Sequence, residues 1–202
     1  MRAGTGAVPA RSFRCADPAS GGYGRRMPEL IAPTIHLHGA WSEAHEEWGP
    51  GLHEDGFALK ESDDVGSAAG FAAWVARLTD AADPARHHDS GHVFRWIVEG
   101  DQVLGGIALR YEFDGAAPPL GHLGYGVRPS ARGRGVATWA LGRMLGEARR
   151  VGLAHVRIMC APDNLASARV IERQGGVLEG IVETRFGPAR SYRIDLGPDG
   201  TR

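Results

Sequence analysis

Lysine is almost absent from this chain. Lys60 is the only one, and the other 22 of the 23 basic residues are arginines. With 30 glycines and an alanine-rich text, the bias reads as genome composition. It still has a chemical consequence, because arginine keeps its charge and binds phosphate through paired hydrogen bonds. Net charge is nearly absent too: 23 basic and 24 acidic residues leave −1 over 202 residues. That disfavours a basic nucleic-acid binder and an acidic solvating tail. Cysteine is scarce, and Cys15 and Cys160 stand far apart. With no disulfide framework and no secretory signal, a reducing, cytoplasmic setting is expected. No apolar run approaches the roughly 18 residues of a membrane span. Neither a membrane nor nucleic acid is therefore expected as a partner.

What is present is an ordinary globular composition, 43% hydrophobic and 23% charged, enough for one domain with a sizeable core. Residues 1–26 differ from the rest. They are rich in Gly, Ala, Ser and Pro, show no period, and carry five arginines against one aspartate. They read as a disordered N-terminal extension of net +4, with Met27 opening a folded domain over 27–202 of net −5.

Leu30–Leu37 reads as a first strand, broken at Pro33 and so at a sheet edge. Trp41–Trp48 reads as a short helix. Ser67 is placed to cap a longer one carrying Phe71, Trp74, Val75 and Leu78 at helical spacing. His92–Val98, the turn at Glu99–Asp101, and Val103–Phe113 make a hairpin. His122–Val127 is the next strand. Ala137, Leu141, Met144, Leu145 and Ala148 share one helix face, and Gly152 ends that helix. His155–Cys160 alternates as a strand. A shorter helix from about Ala166 to Gln174 precedes closing strands at Val177–Val182 and Ser191–Leu196. A meander followed by strand–helix–strand–helix–strand–strand predicts one α+β domain with a mixed, mostly antiparallel sheet.

The most informative segment is Val127–Thr138, VRPSARGRGVAT. A strand ends, a Gly/Arg turn follows, and a helix begins at once. Glycines let backbone N–H groups close on a ligand, and a helix start adds unpaired N–H groups and partial positive charge. Such a turn suits phosphate, although a plain strand-to-helix turn also uses glycines. A Walker A loop is excluded, because no lysine is near. The dinucleotide pattern G-x-G-x-x-G fails at Thr138. The segment does fit R-x-x-G-x-A at Arg132, Gly135 and Ala137.

A second segment supports the first. Asn164–Gly175 fits N-x-x-[AS]-x-x-h-h-E-[KR]-x-G directly after the His155–Cys160 strand. In order and spacing the two segments resemble the GNAT superfamily of N-acetyltransferases. The resemblance covers about Leu30–Leu196, with specific motifs confined to Gly121–Gly176. Leu109–Asp114, Gly121–Ser130 and Cys160…Asn164…Ser167 resemble a bacterial group of predicted acetyltransferases. Asn164-x-x-Ser167 also resembles ribosomal-protein N-terminal acetyltransferases.

The resemblance implies a splayed strand pair that holds acyl-CoA, with helices on both sheet faces. It implies that the Val127 backbone pairs with the pantetheine arm and that its N–H polarises the thioester carbonyl. Arg132, Gly133, Arg134, Gly135, Val136, Ala137 and Thr138 would hold the pyrophosphate. Asn164 would bond the pantetheine arm as well as cap its helix. Arg169, and less directly Arg173, would reach the nucleotide end. Many family members carry a tyrosine seven residues after the Asn, where it protonates the leaving thiolate. Here that position is Ile171, so Ser167 becomes the candidate donor, with a water or no dedicated acid as the alternative.

The proton lost by the amine needs an acceptor. If Glu112 lies opposite His122, then Arg110 meets Gly124 and Ala108 meets Gly126, and all six share a face. Glu112 and His122 would then form a catalytic couple, with Arg110 beside them at the lip of a groove. A solvated sheet edge would carry the same residues. Cys160, Tyr125 and most tryptophans read as core, and Tyr192 as core or acceptor pocket. His36, His38, His87 and His88 lack partner ligands at metal spacing, so no metal is expected.

The expected activity is acetyl transfer from acetyl-CoA to an amine, by direct attack in a ternary complex. The acceptor is an amine of a small molecule or a protein, and the acidic body mildly favours a cationic one. A non-catalytic acyl-CoA sensor and, more distantly, a nucleotide-binding protein are the competing readings. A monomer and a homodimer are both compatible with the sequence.

Overall fold

The computed structural model describes residues 27–49, 53, 57–80, 90–112 and 120–197. The expected extension at 1–26 lies outside them. The elements run β1 (Glu29–Ile31), α1 (His38–Trp48), α2 (Ala68–Asp80), β2 (Ser90–Glu99), β3 (Gln102–Glu112), β4 (Leu123–Val127), α3 (Val136–Arg150), β5 (His155–Cys160), α4 (Leu165–Arg173), β6 (Val177–Thr184) and β7 (Gly187–Asp195). The seven strands form one sheet in the order β1-β2-β3-β4-β5-β7-β6. All neighbours are antiparallel except β4 and β5.

Local chemistry sets the boundaries. Pro33 stops β1 after three residues, and β1 takes the sheet edge. Ser67 Oγ accepts the Gly70 N–H at 3.1 Å and opens α2. The turn after Glu99 uses Gly100 at φ 62°. Gly152, at φ 86°, donates its N–H to Arg149 O at 2.9 Å and lets Leu153 N–H return to Ala148 O at 3.1 Å, closing the end of α3.

Both sheet faces are covered, but at different places. On one face α3 and α4 bury Leu141, Met144 and Ile171 against Leu109, Leu123, Ile158, Tyr192 and Ile194. On the other, α1 and α2 bring Trp41, Phe71 and Trp74 onto Phe94, Trp96, Val98, Val103 and Ala108. Burying each such side chain contributes roughly 1.5–3 kcal/mol. The second cluster covers only the β2–β3 part of its face. From β4 to β6 that face is not covered by it. The outer strand β6 leaves Val177 and Ile181 exposed, and the turn after it leaves Phe186 exposed.

The central pair carries the functional geometry. β4 and β5 share a single register pair, Leu123↔Ile158. Just before it, His122 N–H donates to Arg157 O at 2.7 Å. Beyond it the strands part, leaving Gly124–Val127 and Met159–Cys160 on opposite sides of a gap.

Candidate active site

The mouth of the gap is a loop held from behind by α1. Arg128 is buried, and its guanidinium donates to Glu43 at 2.8 Å and to Glu47. Glu47 also accepts the Ser130 N–H, and the Ser130 hydroxyl at 2.9 Å. Burial alone would raise the Glu47 pKa; the bonds from Ser130 and Arg128 outweigh it and hold the carboxyl below its ordinary value. Glu43 and Glu47 are one helical turn apart, so both face the loop. This brace was missed in the sequence, although an i,i+4 acidic pair on α1 was a readable signal.

Gly133 and Gly135 sit at φ 73° and 79°, a left-handed conformation that side chains resist. A Cβ on either would meet nothing within 4 Å, so both open onto free space. The first helical bond of α3 runs from Trp139 N–H to Gly135 O at 3.0 Å. The N–H groups of Val136, Ala137 and Thr138 therefore have no partner within the helix. Arg132 lies over the Trp48 ring at 4.9 Å and donates Nε to Val127 O at 2.9 Å. Arg134 is committed elsewhere, to both oxygens of Glu99 at 2.8 and 2.7 Å.

The backbone around Val127 is set by its pairing with β3. Arg128 N–H donates to Leu104 O on β3 at 2.8 Å. Alternation then turns the Val127 N–H away from β3 and into the gap. Across the gap, Asn164 Oδ1 caps α4 by accepting the Ser167 N–H at 3.0 Å. Arg169 is exposed on the same helix.

Tyr125 is half-buried against the α3–α4 core, and its phenol does more than pack. It points to the α4 side, where its hydroxyl lies 2.9 Å from Ser167 Oγ and 3.3 Å from Ser167 O. Cys160 completes the group: burial raises its thiol pKa, and a hydrogen bond with Ser167 works in the opposite direction. Ile171 is fully buried. Strand alternation had shown only that Tyr125 faces inward, not that its phenol reaches across to α4. Tyr192 is resolved as core, with its hydroxyl on Glu172 at 3.2 Å.

The β3–β4 register is displaced by two residues from the expected one. Ala108 faces Gly124 and Gly106 faces Gly126. Arg110, not Glu112, lies opposite His122, donating its N–H to His122 O at 2.7 Å. Glu112 ends β3 opposite Ser90. The Glu112–His122 couple is therefore not formed by strand pairing. His122 is buried, and its Nδ1 accepts the Arg157 N–H at 2.9 Å. Burial, then the neighbouring His155 and Arg157, lower its pKa to about 4. Among the described residues no group of three His, Cys, Asp or Glu side chains is placed to hold a metal, and no helix is long and apolar enough to cross a membrane.

A mixed α+β sheet whose parallel central pair parts beside a Gly/Arg loop at a helix start defines the acetyltransferase class of folds. The chain belongs to the GNAT acetyltransferase family, whose domain model matches residues 55–177. Solved structures share the fold. The microcin C7 self-immunity acetyltransferase MccE, in complex with acetyl-CoA and AMP, superposes with a TM-score of 0.60 at 15% identity, over 83% of this chain and 92% of that one. RimL, the ribosomal L7/L12 α-N-protein acetyltransferase in complex with coenzyme A, gives 0.61 at 18% identity, over 85% and 96%. Mycobacterium smegmatis RimJ with CoA-disulfide gives 0.61 at 19%, over 83% and 81%. No curated protein sequence matches the chain.

Proposed function

We propose that the protein is an acetyl-CoA-dependent N-acetyltransferase that passes the acetyl group directly to an amine in a ternary complex. The observation that carries this reading is the β4–β5 gap: the Val127 N–H faces it, and the open Gly133–Thr138 loop stands at its mouth. Acetyl-CoA bound there supplies the acyl group as a thioester, and the MccE and RimL structures that share the fold hold acetyl-CoA or coenzyme A.

The loop N–H groups from Gly133 to Thr138, with the remaining guanidinium nitrogens of Arg132, suit a pyrophosphate. The Asn164 amide NH2 is left to donate to the pantetheine arm, and exposed Arg169 is our candidate for the nucleotide end. The Val127 N–H stabilises charge that develops on the carbonyl oxygen. The amine nitrogen bonds to the acyl carbon, the carbon–sulfur bond breaks, and the thiolate takes a proton. The Tyr125–Ser167 hydroxyl pair is our proton source, in place of a tyrosine at position 171. His122 spends Nδ1 on a backbone N–H, and a pKa of about 4 is poorly matched to accepting an amine proton near neutrality. We therefore assign the base role to Glu112 or to water, with His122 as a tie between β4 and β5.

A protein N-terminal amine, the kind of acceptor that RimL's name states for RimL, and a small-molecule amine are the two acceptor classes to be compared. We assign the protein to a cytoplasmic setting, as the cysteine usage suggests. The deciding experiment measures acetyl-CoA binding by calorimetry and thiol release over a panel of amines and peptide N-termini. Binding with turnover establishes the enzyme. Binding without turnover on any amine makes it a sensor, and binding of ATP instead of coenzyme A overturns the family's chemistry here.

A further inference from the structure

We propose that Arg110 docks an oxyanion, a carboxylate or a phosphate, carried by the amine acceptor within a few bonds of its nitrogen. The proposal rests on the acetyltransferase reading and names the substrate class of that site.

The first observation is a missing partner. The other arginines that are substantially covered are satisfied. Arg128 has Glu43 and Glu47, Arg95 has Phe94 O, Arg149 has Leu196 O, and Arg190 has Pro162 O. Arg157 has Glu179, Arg193 has Asp195, and Arg134 has Glu99. Arg110 is different. Its Nε is buried without a hydrogen-bond partner, and no carboxylate among the described residues forms an ion pair with it. Burial alone holds its pKa below the ordinary arginine value, as expected for a guanidinium with no counter-charge. A desolvated, unpaired cation is costly, and an anion that arrives there recovers the cost.

The second observation is where the guanidinium lies. Arg110 is on the sheet face opposite α3 and α4, over Gly124 of β4. A Cβ built at Gly124 would stand 3.3 Å from Arg110 Nη2 and 3.8 Å from Phe57 Cε1. The absence of a side chain at Gly124 thus makes room for the guanidinium one residue from Tyr125, at the edge of the gap.

The third observation is the surroundings. His92 on β2 and His122 before β4 occupy the cross-strand positions beside Arg110. Arg157 follows on β5. The two cross-strand neighbours of Arg110 are therefore imidazole rings and not carboxylates. The net charge of the 27–202 body suggested a mildly preferred cationic amine; the local arrangement reverses that preference.

The test pairs acceptors that differ only in charge: aminoethyl phosphate against ethanolamine, and β-alanine against its amide. The wild type is expected to favour the anionic member of at least one pair by about tenfold or more in kcat/KM, mainly through KM. The phosphate and carboxylate pairs distinguish the two sources. Arg110→Gln should bring the ratio near one, and Arg110→Lys should keep part of it, with acetyl-CoA affinity as the check that both variants fold. A wild-type ratio of one or less in both pairs, or a ratio that survives in Arg110→Gln, overturns the proposal. If acetyl-CoA binds but no amine is turned over, the enzyme reading fails separately. The site is then probed with inorganic phosphate and acetate, read on the His122 ring resonances. A saturable shift that Arg110→Gln abolishes supports the oxyanion site, and no shift overturns it.

Discussion

The Tyr125 hydroxyl lies 2.9 Å from Ser167 Oγ, joining a residue of β4 to the first turn of α4 across the side of the gap. Two hydroxyls in contact can share one proton delivery, so they should act as a unit. Tyr125→Phe and Ser167→Ala are each expected to lower kcat by about 10- to 100-fold at little cost in the KM for acetyl-CoA. The double variant should be no worse than about the poorer single one. Full additivity would mean that the hydroxyls act independently, and wild-type turnover in all three would leave thiolate departure without a dedicated acid.

Two glycines near α3 should respond in opposite directions. Gly135 has a left-handed backbone and opens onto the proposed anion site. Gly135→Glu adds backbone strain and puts a carboxylate where phosphate is to bind, so acetyl-CoA affinity should fall by about 100-fold. Gly146 sits inside α3 with nothing within 4 Å of an added Cβ and no unusual φ. Gly146→Ala should therefore stabilise the domain by about 0.5–1 kcal/mol, raising Tm by roughly 2–4 °C. Calorimetric titration and thermal melts check the two arms. Unchanged coenzyme affinity in Gly135→Glu would falsify the loop assignment.

The elements were legible where one rule governed them. His155–Cys160 appears in the sequence with the same bounds as in the structure, because strict alternation and a flanking loop leave little freedom. Helix α3 was marked by its apolar face and by Gly152. The β3–β4 register was not legible. Alternation fixes which face a residue takes, but a shift by two preserves every face, so Glu112 and Arg110 were equivalent partners for His122 until the loop length was known. The Tyr125–Ser167 contact depends on how α4 sits on the sheet, which no local pattern encodes; the Glu43/Glu47 spacing marked an acidic face of α1 but not its partner, Arg128.

The Glu47 brace gives a contrast within one helix. Glu47 accepts from Arg128, Ser130 N–H and Ser130 Oγ, with 24% of its side chain exposed; Glu43 meets only Arg128 among the described residues and is 67% exposed. Glu47→Ala removes three bonds to the turn that presents Arg132. It should cost about 1–2 kcal/mol of stability and weaken acetyl-CoA binding several-fold without touching the ligand. Glu43→Ala should cost under about 0.5 kcal/mol, as solvent-exposed ion pairs do. Chemical denaturation and calorimetry on both variants test this, and equal effects would remove the brace from the account.

His122 gives a pH signature of the fold. Its pKa is about 4 in the folded protein against an ordinary 6.5, so between those values the unfolded chain binds more protons. Stability from this group is complete above pH 6.5 and is lost as pH falls toward 4, by up to about 3 kcal/mol. Asparagine can keep the structural bond, because its Oδ1 can stand where Nδ1 accepts the Arg157 N–H, and it does not titrate. His122→Asn should therefore fold, and its unfolding free energy should fall less steeply than the wild type's between pH 6 and pH 5, by close to one proton. An identical slope in the two proteins would show that His122 charges freely in the folded state, and the β4–β5 tie at Arg157 would then not depend on a neutral ring.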